Sequence, residues 1–138
     1  MDVQVNPYLS FNGHCEAAFK FYAQCFGVPV PEFFRFAGSP MADQAPPDWQ
    51  NKVMHSTLVI GGSAIMGADP PPDHFKPPTG FSMSVVLHNI EEAERIFKAL
   101  SIGGTVQMPM QETFWAARFG TLVDQFGIPW MVNCDAPR

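Results

Sequence analysis

The sequence predicts an α+β fold built from two tandem βαβββ modules. Three observations carry this: two amphipathic helical stripes about 75 residues apart, a strand-like segment ahead of each stripe, and strand-like segments behind each. A length of 138 residues is one domain's worth. Residues 1–138 are therefore expected to form a single domain, with module one over about 1–69, a Pro-rich connector over 70–80 and module two over about 81–138. Neither half could bury its sheet alone. Side by side they are expected to make a concave, barrel-like mixed sheet with the helices outside, and the concave face is the natural ligand cavity.

The first element is a short strand at 7–11 (PYLSF). Asn12 then caps a helix over 13–26, in which Cys15, Ala18, Phe19, Tyr22, Cys25 and Phe26 form one apolar stripe and Gly27 is the stop. An aromatic strand at 31–36 follows, then a Pro-rich loop over 38–51. Residues 53–60 and 64–68 flank Gly61-Gly62 and read as a hairpin. Segment 69–80 carries five prolines without periodicity, so it is a stiff connector. The pattern then restarts with a strand at 81–87. Asn89 caps a helix over 89–100 with Glu92 three residues on, and Ala93, Ile96, Phe97 and Leu100 form its stripe. Strands at 105–115, 119–123 and 130–134 close the second module, with a turn at 124–127 between the last two.

Composition excludes several function classes. A net charge of -5 with only eight Lys and Arg opposes binding to a phosphate backbone, which depends on clustered cations. No run approaches the roughly 20 apolar residues that span a bilayer, and the first residues lack a basic region followed by an apolar run. The expectation is a cytoplasmic protein with no nucleic acid and no membrane partner. Cys15 and Cys25 are about 15 Å apart along one helix, too far for a bridge, and no CxxC or Cys/His cluster suggests structural zinc. Charged residues are only 15% of the chain, against about 25% in an average soluble domain. That predicts an uncharged surface covered by a second subunit, hence a homodimer.

The stretches "YLSFNGHCEAAFKFY", "VMHSTLVIGGSAIM" and "MPMQETFWAARFGTLVDQFGIPWMVN" resemble the PhnB-like branch of the vicinal oxygen chelate superfamily, which comprises the glyoxalase, bleomycin-resistance and extradiol-dioxygenase fold. The resemblance covers nearly the whole chain. It implies that fold, and in the superfamily's enzymes a divalent metal held by His, Gln or Glu from the first and last strand of each module. Those positions fall near Pro7, Met66, Phe81 and Met131, none of which is a hard-metal ligand. Tyr8 and Ser82, one residue on, do not rebuild a His/Glu set either. Some PhnB-like sequences carry a label of ubiquinone-pathway methyltransferase. A nucleotide-type cofactor sits on a Gly-rich strand-to-helix turn in a parallel sheet, whereas Gly61-Gly62 and Gly103-Gly104 fall in a hairpin and at a helix end. No cofactor is predicted, although a divalent metal stays open.

His55 and Glu112 are the candidate catalytic residues. His55 shares a strand face with Thr57 and Val59; it is either a general base or lone metal ligand, or a strand histidine bonding across the sheet. Glu112, Trp115 and Arg118 lie in QETFWAAR. Glu112 is either a carboxylate made basic by an apolar barrel or the partner of Arg118 in a hairpin-stapling ion pair. Tyr8, Met66, Trp115, Arg118 and Met131 are the candidate substrate contacts. Trp115 serves either as a stacking wall or as core, and the methionines either as an adaptable lining or as packing. Glu112, Trp115, Arg118 and His55 are expected to face one cavity. The expected function is binding of a small, partly apolar organic ligand, for sequestration or for non-redox lyase or isomerase chemistry. The alternatives are a metal-dependent enzyme using His55 and Glu112, and a non-catalytic interaction protein whose barrel its own Phe and Met side chains fill.

Overall fold

A computed structural model of the chain describes residues 2–135. It divides after Pro77 into two compact units, and each lays one helix on a four-stranded sheet. The first unit runs β1 (Tyr8–Ser10), α1 (Cys15–Phe26), β2 (Phe33–Arg35), β3 (Val53–Ile60) and β4 (Ser63–Ala68), with sheet order β1-β4-β3-β2. The second runs β5 (Met83–Leu87), α2 (Ile90–Ser101), β6 (Thr105–Gln111), β7 (Arg118–Val123) and β8 (Pro129–Cys134), in the matching order β5-β8-β7-β6. First and last strands of each unit pair in parallel and the others antiparallel. The repeat is as the sequence predicts, but the strands hydrogen-bond within two separate four-stranded sheets and not in one continuous mixed sheet.

The helices form where the apolar stripes lie. Cys15, Ala18, Phe19, Tyr22 and Cys25 of α1 are buried with Leu9, Leu58 and Ile65 of the sheet. Full burial of a side chain such as Phe19 contributes about 1.5–3 kcal/mol. In β4, Gly67 lets the helix come this close: a Cβ built there would stand 2.6 Å from the Phe19 ring. Ala93, Ile96, Phe97 and Leu100 do the same work for α2, whose first turn is capped as expected, Asn89 Oδ1 accepting from the Glu92 amide at 2.8 Å.

The start of α1 differs from expectation. The helix begins at Cys15, and His14 holds the cap position with no side-chain hydrogen bond. Asn12 is not the cap. The role passes to Asp69, 1% exposed, whose Oδ1 accepts from the Gly13 and Cys15 amides at 3.0 Å each and whose Oδ2 accepts from the Val53 amide at 3.1 Å. One carboxylate thus joins the end of β4, the head of α1 and the start of β3. Burial pushes its pKa up, and the three amides pull the other way. Asp124 is also more than the turn former the sequence suggests: it accepts from the Phe126 and Ile128 amides and from Trp130 Nε1 at 2.8 Å.

The strand expected over 105–115 stops at Gln111. Its register against β7 shifts twice, between Val106 and Met108 and between Met108 and Gln111; the second shift spans Pro109, which has no amide for the ladder. Residues beyond Gln111 turn back instead, with the Thr113 amide donating to the Ala116 carbonyl and the Ala116 amide to Thr113 Oγ1. The Pro-rich loop and the connector each hold 3-10 turns, at Ala42–Gln44, Pro47–Trp49 and Pro72–His74. The three cysteines are buried and free. Among the described residues no helix is long and apolar enough to cross a membrane.

Candidate functional site

Each sheet has one face under its helix and one face open. In the first unit the row through Leu9, Gly67 and Ser56 lies toward α1. By the two-residue alternation, Tyr8, Met66 and Thr57, aligned across β1, β4 and β3, share the opposite face with His55 and its partner Phe34. Three of the sequence candidates, Tyr8, His55 and Met66, are thereby brought to one surface.

At its centre is a polar chain. Tyr8 Oη lies 3.4 Å from His55 Nδ1 and His55 Nε2 lies 3.2 Å from Thr57 Oγ1, with the Tyr8 and His55 rings 5.8 Å apart and tilted by 39°. A neutral imidazole donates at one nitrogen and accepts at the other. Donation therefore runs from Tyr8 to Thr57 or the reverse, and the hydroxyl at its receiving end accepts from the imidazole with its own hydrogen free for a ligand. Partial burial, and next the nearby Cys15 thiol, hold the Tyr8 phenol above its ordinary pKa, so it stays a neutral hydroxyl. Around the chain are Phe34 and Val59, both at least half exposed, and Met66. A groove of about 400 Å³ adjoins this face, between residues 4–7 and the Val59, Gly61, Ser63 and Ala64 side of the β3–β4 hairpin.

The second unit separates its candidates. Met131 pairs with Ser84 and Thr121 on the open face. Trp115 joins them by stacking edge-on against Phe119 at 5.3 Å, with Phe114 edge-on against it at 4.8 Å. Trp115 is 50% exposed, so it is not core. Arg118 lies one residue before Phe119 and faces the helix side, where its Nε is 3.4 Å from Glu94 Oε1 on α2. Glu112 is exposed beyond the end of β6 and is not enclosed by apolar side chains as expected. Phe34, Thr57 and Phe119 were not among the candidates. Period-two counting places Thr57 beside His55, but the other two need the cross-strand register.

A scan against family models matches residues 3–133 to the family described as 3-demethylubiquinone-9 3-methyltransferase. Protein YjdN of Escherichia coli (strain K12) is 34% identical over 137 residues, covering 94% of this chain and 93% of that protein. The crystal structure of protein PA1353 from Pseudomonas aeruginosa is 44% identical with a TM-score of 0.89, covering 99% of this chain and 100% of that one. A structure titled as a putative 3-demethylubiquinone-9 3-methyltransferase, PhnB protein, from Bacillus cereus is 25% identical with a TM-score of 0.74, covering 96% and 99%. More distantly, a member of the glyoxalase/bleomycin resistance protein/dioxygenase superfamily from Sphaerobacter thermophilus shares the fold at 19% identity and a TM-score of 0.55, covering 96% and 98%.

Two groups implied by these likenesses meet donors that do not suit them. For a divalent metal, the paired first and last strands set Tyr8 against Met66 and Ser84 against Met131; Pro7 and Phe81 precede their strands. Phenol, hydroxyl and thioether groups are poor partners for a hard ion, and among the described residues no three His, Cys, Asp or Glu gather to hold one. For S-adenosylmethionine, the strand-to-helix turn after β1 is already filled. Its Gly13 and Cys15 amides are taken by Asp69, and a Cβ at Gly13 would stand 3.1 Å from Trp49. In the turn after β5, Asn89 holds the Glu92 amide. Neither turn offers the open amide cradle of a nucleotide-type site. Match length and identity together place the chain: it belongs to the PhnB-like family described as 3-demethylubiquinone-9 3-methyltransferase, and it has the fold of the glyoxalase/bleomycin resistance protein/dioxygenase superfamily.

Proposed function

We propose that the protein binds a small, partly apolar organic molecule on the open face of its first sheet. The observation that carries this is the Tyr8–His55–Thr57 chain set among Phe34, Val59 and Met66, a few convergent polar groups in an apolar surround, which is the usual make-up of a ligand site. The adjoining groove has the volume for such a molecule. Met66 adapts to varied shapes, and Trp115 with Met131 gives the second sheet an apolar surface of similar kind. The exposure of Tyr8, at 52%, weighs against the view that each sheet's own side chains fill its open face.

A catalytic version rests on the same chain. An imidazole touching two hydroxyls can take a proton from a bound ligand and return it elsewhere, which is the need of a non-redox isomerase or lyase. His55 is the base in this version and Tyr8 the group that positions it. The metal-dependent version with His55 and Glu112 has less support, since a metal on His55 must displace Tyr8 or Thr57. We further propose a cytoplasmic homodimer, on the low charged fraction and the exposed apolar residues of both open faces. Native mass spectrometry of protein purified without chelator tests these together. A retained organic mass lost in His55→Ala, on a dimer, is the expected result. A monomer that carries no ligand from lysate and takes up none from a library of small aromatic compounds overturns the proposal.

A further inference from the structure

We infer that the ligand of the first sheet is uncharged at its polar end, a phenol, enol or alcohol whose hydroxyl joins the Tyr8–His55–Thr57 chain, and is not a carboxylate, phosphate or phosphonate. This rests on the binding proposal above and narrows it to a chemical class. Anion sites are built from Arg, Lys or clustered backbone amides, and the first unit contains four such cations, Lys20, Arg35, Lys52 and Lys76. Lys76 is exposed in the connector beyond the end of β4, and the other three are committed elsewhere. Lys20 and Arg35 both hold Glu16 at 2.8 Å, with Arg35 also donating to the Asn51 carbonyl. Lys52 donates to the Gly13 carbonyl and lies over the Trp49 ring. The amides at the head of α1 are likewise taken, by Asp69.

What the open face does present is neutral and two-sided. Tyr8 and Thr57 each donate one hydrogen and accept others, and the imidazole between them does both. A ligand hydroxyl matches that pattern because it too donates and accepts. An anion only accepts, and it would sit here without a counter-charge on the face, on a protein of net charge -5.

The test uses three small aromatics of near-equal shape, 4-fluorophenol, 4-fluoroanisole and 4-fluorobenzoate, followed by ¹⁹F NMR titration at pH 7.5, with phenyl phosphate as competitor. The expected order is phenol over anisole by about threefold to tenfold, the worth of one neutral hydrogen bond, with benzoate and phenyl phosphate weaker still. Tyr8→Phe and His55→Gln should remove the phenol's advantage over the anisole. Benzoate or phenyl phosphate binding as tightly as the phenol, with loss in His55→Gln, overturns the uncharged class while the site itself stands. Binding of all three probes that neither variant alters, or no binding to either protein at millimolar probe, overturns the site and this inference with it.

Discussion

Replacing Asp69 by Asn tests whether one carboxylate holds three chain segments of the first unit. The side-chain oxygen of Asn can still accept from the Gly13 and Cys15 amides, which both use the same Asp69 oxygen at 3.0 Å. Its NH2 group then faces the Val53 amide, 3.1 Å from the other oxygen, and two donors meet. A buried donor without an acceptor costs about 1–3 kcal/mol. A neutral amide is easier to bury than the carboxylate whose pKa burial raises, so part of that is returned. The expected loss is about 2 kcal/mol, or about 7 °C in Tm for a chain of this size. Asp69→Ala orphans all three amides and leaves a void, and should cost at least about 4 kcal/mol. Thermal and urea melts followed by circular dichroism give the totals. Amide exchange assigns them: in Asp69→Asn the Val53 amide should lose protection while Gly13 and Cys15 keep theirs. An Asn variant as stable as the parent, or equal loss of protection at all three amides, refutes the reasoning.

Three further outcomes are expected. The guanidinium of Arg35, and next the ammonium of Lys20, hold the Glu16 carboxyl at about 2, below its ordinary value, so its stabilising effect is present above that ordinary value and fades as pH falls toward about 2. Glu16→Gln should therefore lower stability by under about 1 kcal/mol at pH 7, since the pair is partly exposed, and the gap should close in acid melts. Gly67→Ala drives a methyl into the Phe19 ring and should cost about 1–3 kcal/mol in urea titration, with Phe19→Leu in the same chain restoring part of it. Ni, Zn, Mn or Fe(II) at about 100 µM should move Tm by less than about 2 °C, because stabilisation by a ligand is small at concentrations below its Kd; a rise of several degrees that His55→Ala removes would falsify the mismatch of donors described above.

Periodicity made most of the elements legible. Both helical stripes, the Gly61-Gly62 hairpin and the Asn89 cap are local patterns, and local patterns survive without knowledge of the fold. The Asp69 cap was not legible because its donors lie 54 and 56 positions away in sequence, and only the folded chain joins them. His55 could be assigned a face because β3 is regular around it. Arg118 could not, since the count from Glu112 passes through a turn, and a turn erases strand parity. That Tyr8 stands opposite Met66 and Ser84 opposite Met131 was likewise not legible, because only the β1–β4 and β5–β8 pairing sets that register.

The three tryptophans sit in three optical settings, and this gives the molecule its own reporters. Trp130, 2% exposed and bonded to Asp124, should emit toward the blue and shift red when the second unit opens. Trp49 donates to the Asp69 carbonyl with the Lys52 ammonium 5.7 Å from its ring, so its emission follows the first unit. Trp115 stands in solvent beside Phe114 and Phe119, where iodide or acrylamide reaches it at once, and anything that settles on the second sheet should shield it. Variants that keep one indole at a time would thus show whether the two halves melt as one transition or two, and on which sheet a ligand lands, without any added dye.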